Sequence, residues 1–262
     1  MKFNTHVITV AMLALVACGL STTALAAGEG EEELKAQVDT LKQGQDEIRK
    51  ELAEIKKLLQ EGARAAAAPS GPNVAGKIFS LGENPAKGSS EARIALIEFT
   101  DYECPFCKRH KENTQPQIDS QYVDSGKVRF VSLDMPLPNL HRLAMKAAEA
   151  AHCADDQGQY WQMRDRFFEN QRALEPWNSH AEALGMDVAQ YEDCLNSGKY
   201  ADAVKADLAE ASKAGATGTP SFVVAVIDEK DPSKASGVTF IRGAQQFSAF
   251  QTALDDALAS LN

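Results

Sequence analysis

The sequence predicts an α/β domain that carries an all-helical insertion and is preceded by a coiled-coil helix. Near the start of this domain, two apolar runs flank a helical segment, and two further runs near its end indicate a hairpin. Between these pairs, helical periodicity continues from about residue 141 to 214. Upstream, residues 30–62 repeat apolar side chains with a period of seven. Residues 76–262 are therefore long enough to form one compact domain with its own core.

The N-terminal 26 residues have the features of an export signal. Lys2 precedes an apolar core, and Ala24-Leu25-Ala26 matches the small-x-small pattern of a signal-peptidase site. Leu15-Val16-Ala17-Cys18 also resembles a bacterial lipobox, in which Cys18 would be lipidated and become the first residue. Both alternatives, soluble export and a lipid anchor, take the chain out of the cytoplasm. No later stretch reaches the roughly 18 apolar residues of a membrane-spanning helix.

Residues 30–62 predict a coiled-coil oligomerisation helix. One heptad register, broken by Gln45, contains Leu34, Val38, Leu41, Ile48, Leu52, Ile55 and Leu59. Leu52 and Leu59 at a positions with Ile48 and Ile55 at d positions favour three or four strands, so we expect a trimer ahead of a dimer. The alternative is an amphipathic helix that packs on its own domain. Proline and glycine then mark a linker at 63–75.

Within the α/β domain the elements follow in order along the chain. Pro116 should kink the first long helix, and the helical stretch should break near Glu175-Pro176, Gly185 and Ser197-Gly198. The predicted strands are 93–99, 128–133, 222–227 and 238–241, and the predicted helices are 104–123, several within 141–214, and 246–261.

The chemistry of the domain is predicted by Cys104-Pro105-Phe106-Cys107, which follows the first strand and opens a helix. A cysteine in the first turn of a helix has free backbone N–H groups and the positive end of the helix dipole beside its sulfur, so its thiolate is favoured. Cys104 is therefore the expected nucleophile and Cys107 the resolving thiol. Half of a zinc site is the alternative, but no second CxxC or CxxH accompanies it, and His141, His152 and His180 lack ligand spacing, so we expect no metal.

The remaining cysteines form an even set once Cys18 is removed or lipidated. Outside the cytoplasm, Cys153 and Cys194 are more often a structural disulfide than two buried thiols. The net charge of −10 argues against nucleic-acid binding, which favours basic surfaces.

The stretch from Phe99 to Cys107, followed much later by Gly218-Thr219-Pro220-Ser221-Phe222, resembles the DsbA-like branch of the thioredoxin superfamily. The resemblance implies a thioredoxin fold with a helical domain inserted at about 140–197, and a second disulfide carried by that insertion. It also implies a cis-proline at Pro220 and substrate contacts at Thr219, Pro220, Pro105 and Phe106. The coiled-coil segment is similar in logic to the oligomerising arms of DsbC, DsbG and ScsC proteins.

Glu98 lies on the first strand, six residues before Cys104, where thioredoxin-like proteins keep a buried acid near the resolving cysteine. We expect it to move protons to and from Cys107; a water-facing carboxylate at a strand edge is the alternative. Glu103 should raise the pKa of the neighbouring thiol, while Lys108 and Arg109 oppose it. His110 is expected to be an exposed helix residue.

Together these features predict an exported, oligomeric thiol-disulfide oxidoreductase that acts on exported proteins as isomerase, oxidase or reductase. It would need no cofactor and would exchange electrons with a membrane redox partner that the sequence does not name. The second hypothesis is a binding protein, either a chaperone-like holder of unfolded chains or a metal-binding module that uses the same two thiols.

Overall fold

The computed structural model describes residues 33–58 and 71–261, which fall into two compact units. The predicted export signal and residues 63–70 of the predicted linker lie outside the described residues. None of the described helices combines the length and the hydropathy needed to cross a bilayer.

The first unit is one helix, α1, over residues 33–58. Its apolar side chains are 40–69% exposed, namely Leu34, Val38, Leu41, Ile48, Leu52, Ile55 and Leu58. Exposed charged side chains form ion pairs within the helix, such as Lys42–Asp39 and Arg49–Asp46. The predicted heptad residues up to Ile55 therefore lie on a helix, and Leu59 lies outside the described residues.

The second unit is built on a six-stranded mixed sheet with the strand order β1-β6-β5-β3-β4-β2. The central strand β3 pairs in parallel with β4 and antiparallel with β5. Every residue of β3 is buried, because helices cover both faces of the sheet. The strands are β1 Ile78–Ser80, β2 Ala86–Lys87, β3 Ile94–Thr100, β4 Val128–Asp134, β5 Ser221–Ile227 and β6 Lys234–Arg242.

The sequence predicted the four long strands and missed the two short ones. β6 begins four residues before the predicted strand, since the turn within 228–237 is tighter than its composition indicated. The short strands β1 and β2 pair at opposite edges of the sheet and have only three and two residues, too few for an alternating pattern to be recognised.

The helix that begins after Cys104 is interrupted as Pro116 predicted. α2 ends at Asn113, α3 follows from Gln115 to Ile118, and a π-helical turn runs from Asp119 to Val123. Pro116 lacks the N–H that would continue the hydrogen-bond ladder, so the break falls in the turn before it. The remaining helices are α4 Ala144–Asp155, α5 Tyr160–Glu169, α6 Trp177–Ala183, α7 Val188–Ser197, α8 Ala201–Ala214 and α9 Phe247–Ala259.

Helices α4 to α7 form the insertion and enclose a core of their own. The predicted breaks near Pro176, Gly185 and Gly198 separate α5 from α6, α6 from α7, and α7 from α8. A further break at Gly158, which has a positive φ of 68°, was not predicted. Alanine-rich α4 packs closely against the aromatic residues of α5, including Tyr160, Phe167 and Phe168. The fold is thus a thioredoxin-type sheet with an inserted helical bundle.

Candidate active site

The two cysteines of the CxxC motif lie at the N-terminus of α2. Cys104 is the N-cap residue, with extended backbone angles, and Pro105 occupies the first turn. The Cys104 carbonyl accepts hydrogen bonds from the N–H groups of Cys107 (3.1 Å) and Lys108 (3.2 Å). Proline suits this position because its missing N–H would have no helical partner there. Both cysteines are free thiols, and Cys107 is buried more deeply than Cys104.

The surroundings of the two thiols push their pKa values apart. A hydrogen bond from the Cys107 thiol, together with Thr219 and the N–H groups of Cys107 and Phe106, lowers the pKa of Cys104 to about 6 despite burial. Burial raises the pKa of Cys107 well above its ordinary value, and the charges of Cys104 and Glu98 raise it further. Near pH 7 the Cys104 sulfur is therefore a thiolate, while Cys107 keeps its proton.

The loop before β5 faces the Cys104 sulfur. The Thr219-Pro220 peptide bond is cis, and the Thr219 carbonyl oxygen lies 3.3 Å from the Cys104 sulfur. Pairing of Ser221 with Phe99 on β3 brings this loop to the end of the sheet at which α2 begins. Two segments separated by more than 100 residues thus meet at one sulfur atom.

Glu98 is fully buried on β3, on the same face of the sheet as Ile94 and Leu96. Its Oε2 accepts a hydrogen bond of 2.7 Å from Arg164 of α5, which is also fully buried. Burial raises the pKa of the Glu98 carboxyl, and Arg164 offsets part of that effect. The insertion therefore supplies the positive charge that balances the acid behind Cys107.

Arg164 was not found by sequence analysis, because nothing in α5 marks one arginine as buried. Its guanidinium also donates to the Gln115 side chain at 3.1 Å. It lies over the rings of Phe168, Trp161 and Phe130, at 5.0–5.9 Å from their centroids. These aromatic faces partly replace the water that a buried guanidinium loses.

The expectation for His110 was wrong, because this residue is fully buried. Its ring packs against Phe222 and Phe250, with centroids 4.5 and 5.1 Å apart. Burial lowers its pKa to about 3, so the imidazole is neutral. The spacing of Cys107, His110 and Thr114, which share one helix face, was the signal that could have identified its burial.

Carboxylates and one amide fix the loop around the motif. Asp101 Oδ1 accepts the Glu103 N–H at 2.8 Å, and its Oδ2 lies 2.8 Å from His141 Nδ1. The Glu103 carboxylate accepts the Leu143 N–H. Gln171, which sequence analysis did not single out, donates to the Tyr102 and Cys104 carbonyls, both at 2.9 Å. The loop that carries Cys104 is thus held by the segment before α4 and by the loop between α5 and α6.

The surface beside Cys104 presents apolar groups to solvent. Phe106 is 53% exposed, and the Arg109 guanidinium lies 4.9 Å from its ring centroid. Pro105 lines a cavity of about 580 Å³ between α2 and residues 169–173, together with Glu103 and Gln171. An exposed ring and a cavity thus lie next to Cys104 in the chain.

Cys153 and Cys194 are joined by a disulfide, with Cα atoms 5.8 Å apart. The bond connects α4 to α7 inside the core of the insertion. Its two helices belong to the insertion, whereas the CxxC motif opens α2.

Comparison with known proteins places the chain in a family. A family model described as Thioredoxin matches residues 80–256, and the chain belongs to this family. The fold is that of DsbA-like thiol-disulfide oxidoreductases: alpha-DsbA1 of Wolbachia pipientis superposes with a TM-score of 0.58 at 23% identity, over 68% of this chain and 92% of that one.

Two sequence relatives match the chain over different shares of their own length. Na(+)/H(+) antiporter NhaA 3 of Salinispora tropica is 33% identical over 140 residues, which is 53% of this chain and 21% of the antiporter. The chain thus matches only about a fifth of that relative. Probable disulfide bond formation protein D of Bacillus anthracis is 26% identical over 56% of this chain and 72% of its own length.

Proposed function

We propose that the chain is an exported thiol-disulfide oxidoreductase that acts on protein disulfides through Cys104 and Cys107. The observation that carries this proposal is the asymmetry of the two thiols. Cys104 has a pKa of about 6, whereas burial raises that of Cys107. The Cys104 sulfur is thus a thiolate that can attack a disulfide. Cys107 stays protonated until a mixed disulfide has formed at Cys104.

In the reducing direction, the Cys104 thiolate attacks one sulfur of a substrate disulfide. A mixed disulfide forms at Cys104, and the other substrate sulfur leaves as a thiolate. Cys107 then loses its proton and attacks the Cys104 sulfur, which releases the second substrate thiol and leaves a Cys104–Cys107 disulfide. The oxidising direction is the reverse, and in isomerisation the substrate's own thiol displaces Cys104.

We assign to Glu98 the role of accepting the proton that Cys107 must lose. It is the buried acid whose charge acts on Cys107, and Arg164 holds one of its oxygens. Glu98 Oε1 is buried without a hydrogen-bond partner among the described residues, so one oxygen has capacity for a proton or a water molecule. This capacity supports a role in proton transfer.

Substrate binding is assigned to the surface formed by Thr219, Pro220, Pro105 and Phe106. The Thr219 carbonyl oxygen, 3.3 Å from the Cys104 sulfur, can receive a backbone N–H of the substrate chain. Phe106 offers an exposed ring for an apolar side chain. Binding through backbone and one apolar contact suits an enzyme with many protein substrates.

The trapping experiment tests the roles of the two cysteines. Cys107→Ser should accumulate mixed disulfides with scrambled ribonuclease, because no resolving thiol remains, whereas Cys104→Ser should be inactive and trap nothing. Non-reducing electrophoresis followed by mass spectrometry identifies the adducts. Equal trapping by both variants would reverse the assignment of nucleophile and resolving thiol.

We further assign α1 to self-association, as a trimer ahead of a dimer, with isomerase activity depending on it. The support is its row of exposed apolar side chains at heptad spacing. Several active sites around one substrate allow one site to attack while others hold the misfolded chain. Export and a membrane redox partner complete the proposal. They rest on the residue pattern of the first 26 residues and on the need to regenerate the Cys104–Cys107 pair.

Deleting α1 tests this assignment. A chain beginning at Gly71 should be monomeric by light scattering, should retain insulin reduction, and should lose most of its ability to refold scrambled ribonuclease. An oligomeric product would contradict the role of the heptads. A monomer that still isomerises at the full rate would show that isomerase activity does not depend on α1. The reduction potential of the Cys104–Cys107 pair then separates oxidase from isomerase or reductase.

A further inference from the structure

In addition to the two cysteine pairs, the domain brings together three buried side chains from three elements. Asp134 ends β4, His152 lies in the last turn of α4, and Asp207 lies in the middle of α8. Their exposed fractions are 1%, 5% and 3%. One donor atom from each lies within 4.8 Å of the other two.

The hydrogen bonds at this cluster leave it short of positive charge. His152 Nε2 lies 2.8 Å from Asp134 Oδ2, and Asp207 accepts from the Asp134 N–H at 2.9 Å and from Asn84 Nδ2 at 3.0 Å. Asp134 Oδ1 is buried with no partner among the described residues. Within residues 71–261, no lysine or arginine pairs with either carboxylate. Two carboxylates thus share one imidazole.

A cavity gives access to the cluster from outside. It has a volume of about 240 Å³ and is lined by His152 and Asp207, as well as by Asn84, Tyr200 and Glu210. A small hydrated ion can enter such a space, and water molecules can remain in it as further ligands.

We propose that Asp134, His152 and Asp207 bind one divalent transition-metal ion, with Zn²⁺ as the preferred ion. Zn²⁺ binds imidazole nitrogen and carboxylate oxygen at about 2.0–2.2 Å, which places donors about 3–4 Å apart. The three donor atoms here lie within 4.8 Å of one another, so small side-chain shifts bring them to that spacing. An imidazole in the donor set favours Zn²⁺ over Ca²⁺ or Mg²⁺, which prefer oxygen ligands alone. The unpartnered Asp134 oxygen and the excess of carboxylate charge are both satisfied by such an ion.

This site departs from the sequence-based expectation that the histidines have no ligand role. The three donors come from separate elements, 18 and 55 residues apart in successive steps, so no local spacing could indicate them. In the fold, the ion would fasten α4 and α8 to the end of β4. Asp134 pairs there with Thr100, four residues before Cys104.

Calorimetry on the full-length, tag-free and EDTA-treated protein tests the proposal. The Cys104→Ser/Cys107→Ser variant serves as background, so that the active-site thiols cannot bind the metal. Titration with ZnCl₂ should give one site per chain, and CaCl₂ should bind at least tenfold more weakly. Asp207→Asn should lower the Zn²⁺ affinity at least tenfold. Glu210→Gln is the control, because this carboxylate lines the same cavity but is already paired with Lys213, and it should change the affinity less than twofold.

A spectroscopic measurement keeps the test independent of variants that fail to fold. In the same background, Zn²⁺ should shift the His152 ring resonances at one equivalent, and Mn²⁺ should broaden them selectively. Unchanged His152 resonances, the absence of Zn²⁺ binding, or equal losses in Asp207→Asn and Glu210→Gln would each overturn the site. Tighter binding of Ca²⁺ than of Zn²⁺ would overturn the choice of ion and the ligand role of the imidazole.

Discussion

The molecule holds two cysteine pairs in opposite settings. Cys104 caps the N-terminus of α2, where the helix dipole and free N–H groups favour a thiolate. Cys153 and Cys194 both lie in the last turns of their helices, α4 and α7, where the dipole has its negative end. Thiol-disulfide exchange requires sulfur to carry negative charge as attacking or leaving group. From the position of each cysteine along its helix, we therefore predict that Cys104–Cys107 exchanges and that Cys153–Cys194 is durable.

Burial strengthens the contrast. Behind the reactive pair the core contains ionisable groups, Glu98 and Arg164, which can respond when Cys107 changes its protonation state. The Cys153–Cys194 bond packs in an apolar cluster of mainly alanine, aromatic, leucine and methionine side chains, which extends to Cys104 and Cys107. A sulfur surrounded by apolar groups gains nothing from ionising. Of the two pairs, one is thus built to exchange and the other to hold α4 against α7.

The largest expected effect concerns the durable pair. Replacing both Cys153 and Cys194 by Ala should lower the free energy of unfolding by about 4 kcal/mol, the chain-entropy value for a loop closed over a sequence separation of 41. Insulin reduction below the melting temperature should persist, since Cys104 and Cys107 are untouched. Urea unfolding followed by circular dichroism measures the loss.

The same bond should remain intact when a mild thiol reduces Cys104–Cys107. Differential alkylation with mass spectrometry of the folded protein provides the readout. Its control is unfolded protein treated with a strong reductant, in which Cys104, Cys107, Cys153 and Cys194 are all labelled. If Cys153 or Cys194 is labelled at the thiol concentration that first labels Cys104, the two disulfides are equally reducible and the predicted difference between them is wrong.

The second effect lies within the reactive pair. In the reduced protein, Cys104 should react with iodoacetamide more than a hundredfold faster than Cys107 at pH 7, because only Cys104 has a substantial thiolate fraction. Its pKa is lowered, so its rate should rise as the pH increases through about 6 and then level off. The Cys107 rate should still be rising at pH 9. Peptide-resolved mass spectrometry measures both, and parallel profiles near pH 8.5 would contradict the asymmetry.

The sequence predicted those elements that are marked by a few consecutive residues. The apolar run of β3, the CxxC motif at the start of a helix and the break at Pro116 are each contained in a few consecutive residues. The breaks between the later helices followed from proline and glycine in the same way. These features predicted the fold class and the motif to which we assign the chemistry.

What the sequence could not provide depends on contacts between distant segments. Arg164 matters because it meets Glu98, 66 residues earlier in the chain, and Gln171 matters because it reaches the Cys104 carbonyl. The charged neighbours of His110 favoured the wrong prediction that it is exposed, although its spacing from Cys107 places both residues on one helix face. The partners of a buried polar group are chosen by topology, and no single segment encodes them.

The smallest expected effect tests whether Glu98 acts on Cys107 or only balances Arg164. Glu98→Gln should slow the release of glutathione from a Cys104 mixed disulfide by about tenfold, because it removes the proton acceptor. This is below the usual ~10²–10⁴-fold for general acid–base groups, since Arg164 already holds one carboxylate oxygen. Removing the charge also lowers the pKa of Cys107, which favours its attack and reduces the net loss.

Glu98→Gln alone should also destabilise the fold, because it leaves Arg164 buried without its counter-charge. The double variant Glu98→Gln/Arg164→Met removes both charges and keeps the packing, so it should recover much of the stability. Its release rate, measured by single-turnover quenching across pH 6–9, should stay slow. If the rate recovers together with the stability, the carboxylate is a structural partner of the insertion and the proton of Cys107 leaves by another route.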